Sequence, residues 1–152
     1  MNSTSKLLSL VSALAVFFFM GTQSGFAAEQ HPGYLHALTD LRHARAHLER
    51  PDGGALKVQE TKAIHEIDIA IGEIKKAAID DGKDLNDHPV VDAKLDWPGR
   101  LHRAAELIKQ AHMDISHEET NPAAQGLQQR AFAHIDNAHH HVEEAIQIVS
   151  AK

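Results

Sequence analysis

The chain repeats itself, and the repeat narrows the folds open to it more than any other feature. His31-Pro32-Gly33-Tyr34-Leu35-His36 returns as Trp97-Pro98-Gly99-Arg100-Leu101-His102, 66 residues on. Ala63-Ile64-His65-Glu66-Ile67-Asp68 returns as Ala131-Phe132-Ala133-His134-Ile135-Asp136, 68 residues on. Two extra residues in the second inter-helix loop reconcile the offsets. Each copy reads as a helix, a short loop and a longer helix. Two copies predict an all-α four-helix bundle made by tandem duplication of a helical hairpin.

The local punctuation agrees. Pro32 and Pro98 suit a first helical turn, where a missing N–H costs little. Asp52-Gly53-Gly54 separates the first two helices, and Asn121-Pro122 reads as an N-cap followed by proline at the first helical position. Helices are predicted near 33–49, 57–80, 98–118 and 122–150. Hairpin one then covers 32–81, a linker 82–96, and hairpin two 97–152. No alternating apolar run suggests strands.

Residues 1–28 read as a secretory signal peptide. Lys6 gives a positive start, Leu7 to Met20 an apolar stretch, and Gly25-Phe26-Ala27-Ala28 a small-residue exit. The expectation is an exported chain, periplasmic or secreted, with residues 29–152 forming the bundle and no membrane insertion after cleavage. No cysteine is present, so no disulfide supports the fold. The net charge is -6 with neutral histidine, and Lys6 is the one charged residue of the leader. An acidic surface argues against nucleic acid or an anionic membrane as partner. The anomaly is histidine: all 13 lie beyond the leader.

Projecting the helices at roughly 100° per residue sorts these histidines. In helix four, Ala131, Ile135, Ala138, Val142, Ala145 and Val149 form a core stripe with Phe132 and Ile146 beside it. His139 falls inside this stripe, where the first copy has Ile71, so it is expected to be buried. His134 and His141 flank the stripe one heptad apart, where the first copy has Glu66 and Glu73. His140 points to solvent. In helix one, His36, Asp40, His43 and His47 follow steps of four, three and four, almost opposite Tyr34, Leu38, Leu41 and Leu48. That stripe is expected to face water or a partner. His43 and His47 are spaced to chelate a divalent ion through two imidazoles. The candidate metal ligands are His36, Asp40, His43 and His47, followed by His134 and His141.

The pieces HAxxxL in helix one, AIDDGKDLNDHP after helix two and IDxAxHHxEEAI in helix four resemble small secreted four-helix proteins of bacteria, which mostly carry no assigned activity. More loosely, alanine-rich helices with spaced histidines look like the periplasmic small metal-binding proteins. That second resemblance is compositional; it implies copper or another divalent ion and lends no individual ligand.

Enzymatic readings find little support. A di-iron bundle needs Glu-x-x-His on two helices. Only Asp136-x-x-His139 and Asp40-x-x-His43 come near, and their duplicates lose the histidine. Covalent haem requires cysteine, and no haem is expected. The acidic linker lacks the EF-hand order of ligands. The expected function is therefore binding of Cu(II), Ni(II) or Zn(II) for buffering, storage or resistance, without catalysis. The alternative is a cofactor-free structural or interaction bundle that meets another protein of the cell envelope and responds to pH.

Overall fold

The Asp96-Trp97-Pro98-Gly99 stretch shows how a helix is started here. The Asp96 carboxylate accepts a hydrogen bond from the Gly99 N–H at 2.9 Å, and Pro98 occupies the first turn. A Cβ on Gly99 would stand 2.8 Å from the Asp96 carboxylate oxygen, so a larger residue there would make the capping side chain shift. The computed structural model describes residues 32–50, 54–76, 89–91, 94–116 and 122–151. Within them lie four helices: α1 (Pro32–Leu48), α2 (Ala55–Lys76), α3 (Trp97–Ile115) and α4 (Pro122–Ser150). Gly54, just before α2, takes a left-handed backbone with φ 73°, as the expected break needs. The leader 1–28, the Asn121 cap, Asp52-Gly53, the expected ends of helices two (77–80) and three (117 and 118), and most of the 82–96 linker lie outside the described residues.

The helices form a four-helix bundle with antiparallel contacts. The Arg100 guanidinium in the first turn of α3 donates to the His47 carbonyl in the last turn of α1 at 2.9 Å. Glu66 meets His134, and Glu73 meets Arg130, so α2 runs against α4. The broadest contacts are α2 on α4 and α1 on α3, while α1 on α2 and α3 on α4 complete the ring. Consequently the end of α2 and the start of α3 lie at opposite ends of the bundle.

Small residues at seven-residue spacing explain the intimacy of the broad contacts. Ala37 and Ala44, Ala63 and Ala70, Ala104 and Ala111, and Ala131, Ala138 and Ala145 are all fully buried. A methyl-sized side chain recurring every two turns on one face lets helix axes approach closely. Leu38, Leu41, Ile67, Ile71, Leu101, Ile108 and Val142 fill the remaining core. Each such side chain contributes about 1.5–3 kcal/mol relative to exposure. The α4 stripe is where the periodicity puts it, with Val149, Phe132 and Ile146 only partly buried at its edge.

Two positions differ from the expectation. His139 is half-buried, not a core residue: its side chain is 37% exposed and reaches Glu143 at 3.7 Å. Its counterpart Ile71 is fully buried. His139 borders the groove between α3 and α4, which keeps its ring partly in solvent. His47, expected on a water-facing stripe, is 5% exposed. The first turn of α3 covers the end of α1 there, so α1 is buried on two sides at its C-terminal end.

Candidate functional site

The helix-one stripe is divided by the packing of α3. His36 is exposed, Asp40 and His43 are half-buried, and His47 is buried. The His47 Nδ1 is shielded from solvent with no hydrogen-bond partner. Burial, then the charges of Arg103, His43 and Arg100, holds its pKa below the usual imidazole value. Guanidinium groups this close oppose a metal cation at His47. The His43–His47 pair thus has chelate spacing along the helix but a cationic setting at its second member.

The stripe's other half gains a partner that helical spacing could not reveal. A surface cavity of about 310 Å³ between α1 and α3 is lined by His36, Thr39, Asp40, Gln110 and Asp114. Asp114 belongs to α3 and receives a hydrogen bond from the Gln110 side chain at 2.9 Å. Burial, then the Asp114 charge, raises the Asp40 pKa, with His43, Arg103 and His36 partly offsetting the two. Two carboxylates thus stand near each other with imidazoles on either side. Among the described residues no three histidine, aspartate or glutamate side chains converge on one point as they stand.

His134 and His141 are not brought together. The His134 Nδ1 lies 2.6 Å from Glu66 of α2, whereas the His141 Nδ1 lies 3.2 Å from Glu144 of its own helix. One heptad of helix separates them by roughly 10 Å. Burial disfavours the charged form of Glu66, yet the bonds from His134 and Asn137 and the charges of His134 and His65 outweigh it and lower its pKa. A hydrogen bond from His141 lowers the pKa of Glu144 against a smaller burial effect. His140 is exposed, as expected, and faces Glu144 at 3.5 Å.

A second surface feature lies elsewhere. A groove of about 510 Å³ runs between α3 and α4, floored by Ala105, Ile108 and Ile135. His102, Glu106, His112, Asp136, His139 and Glu143 line its walls with Lys109. The His112 ring packs on Phe132 with centroids 4.6 Å apart, and its Nε2 lies 3.4 Å from Asp136. The sequence signal for this groove was the loss of Ile71's equivalent to His139, which the periodicity alone reads as burial. Among the described residues no helix is long and apolar enough to cross a membrane. No protein family, curated protein or solved structure matches the chain.

Proposed function

We propose that this is an exported, non-catalytic protein that binds a divalent transition ion, Cu(II), Ni(II) or Zn(II), for buffering, storage or resistance. The observation that carries the reading is the cavity shared by His36 and Asp40 of α1 with Asp114 of α3, beside His43. Neutral imidazoles and carboxylates suit these ions, and Cu(II) has the highest intrinsic affinity for such donors. Ligands drawn from two helices would make binding depend on the fold, unlike a pair on one helix. The leader-like residues 1–28 support the exported part of this reading. The bundle's origin by duplication of a hairpin fits its packing, in which Glu66 and its repeat equivalent His134 meet across α2 and α4.

A second reading, a pH-responsive bundle without cofactor, draws on a different observation. His112, His134, His139, His140 and His141 each lie within 3.7 Å of a carboxylate. Protonation would convert each contact into an ion pair. Calorimetric titration with Cu(II) near pH 7.5 separates the two. The metal reading expects a tight event that Asp40→Asn together with Asp114→Asn removes. Binding unchanged in that double variant contradicts it.

A further inference from the structure

The groove between α3 and α4 has a counterpart in the first hairpin, and there it is filled by arginine. Aligned by the repeat offset of 66, Ala111 stands where α1 has Arg45, and Ile108 where α1 has Arg42. At the offset of 68, Asp136 stands where α2 has Asp68. In the first hairpin the Arg45 Nε donates to Asp68 at 2.8 Å, with the arginine side chain 12% exposed. Arg42 is buried more deeply still. Between α1 and α2, then, an alkyl stem lies along the core and a guanidinium head rests on an aspartate.

The second hairpin keeps the aspartate and loses both arginines. Ala111 and Ile108 are apolar and buried, and Ile108 lies beneath an open groove of about 510 Å³. That volume lies in the range of sites for small organic ligands, and an apolar floor with a few polar groups is their usual composition. Asp136 and Glu143 stand on its wall beside imidazoles that carry no charge when neutral. Glu106 is already paired with Arg103 at 3.0 Å, and Lys109 is the cation lining the groove. The carbon floor does not suit a bare ion.

We infer that this groove binds a small organic cation of arginine side-chain size, an alkylguanidinium, with its stem on Ile108 and Ile135 and its head on Asp136. The site is separate from the cavity between α1 and α3 and does not depend on metal. Titration of the whole protein with n-butylguanidinium, in EDTA near pH 7.5, tests this by the methyl resonances of Ile108 and Ile135. Saturable shifts are expected, with at least fivefold weaker binding for Asp136→Asn and for n-butylurea, the neutral planar analogue. Ala111→Arg, which copies Arg45, should abolish binding by supplying the guanidinium from within. If that buried substitution prevents folding, the exposed Asp136→Asn change decides alone. His36→Gln should leave the affinity unchanged, which keeps the result apart from the metal reading. Absence of saturable shifts, equal affinity for n-butylurea, or undiminished binding by Asp136→Asn overturns the inference.

Discussion

Exchanging residues between positions 71 and 139 tests why one position is buried in the core while its repeat equivalent borders a groove. Ile71 is fully buried in the core. Ile71→His removes its apolar burial, about 1.5–3 kcal/mol. It also places an imidazole where no partner is prepared, at a further cost of about 1–3 kcal/mol. The expected loss is about 2.5–6 kcal/mol, or roughly 10–30 °C in Tm for a domain of this size. Because burial disfavours a charged imidazole, the penalty should grow as pH falls below about 6.5. His139→Ile is the reverse exchange. Its imidazole is partly in solvent and its contact with Glu143 is long and exposed, so the change should stay within about 1 kcal/mol. Thermal unfolding followed by far-UV circular dichroism at pH 8 and pH 5.5 reads both. Similar shifts for the two variants would mean that the repeats are packed alike and the groove is not a real asymmetry.

Three further outcomes follow from the charges. Burial and the neighbouring arginines hold the His47 pKa low, so the unfolded chain takes its proton more readily; stability is fully present above the unfolded value near 6.5 and is lost as pH falls through the folded one. His47→Leu should therefore lose fewer degrees of Tm than the parent between pH 7.5 and pH 5. Asp40 has the opposite sign: its raised pKa means that its contribution is greatest below the unfolded value and declines as pH rises through the folded one. Asp40→Asn should raise Tm at pH 7 and leave it nearly unchanged at pH 3. Glu66→Gln should cost about 1 kcal/mol at pH 7 through the lost bond with His134, and nothing once pH falls through the lowered folded pKa of Glu66, measured by denaturant unfolding.

The helices were legible because their signals are local. Prolines in first turns, a glycine break and a 3.6-residue apolar period decide where α1 to α4 run, and the repeat makes each half support the other. The Asp96 cap was missed: Asp96 reads as the end of the linker, although Asp-Trp-Pro-Gly carries a cap signal. Which face of a helix meets which neighbour is a tertiary fact, and there the reading thinned. His47 was assigned to water because Leu38 and Leu41 lie opposite, but α3 covers that end of α1 as well. His139 was assigned to the core because its equivalent is Ile71, but α3 does not close over it. Asp114 was invisible as a partner of Asp40, since no spacing along α1 encodes a residue of α3. The alanines at seven-residue spacing carried more than they were given: they mark the pairs of helices that approach most closely.

The most direct test of the metal reading counts ligands. One equivalent of Cu(II) added near pH 7.5 and examined by pulsed electron paramagnetic resonance should show imidazole coupling from His36, the histidine that lines the cavity with Asp40 and Asp114. His36→Gln should remove this coupling, and Asp114→Asn should weaken binding at least tenfold while the helical circular dichroism stays intact. A spectrum unchanged by His36→Gln and by Asp114→Asn, yet altered by His134→Gln or His141→Gln, would contradict a site between α1 and α3.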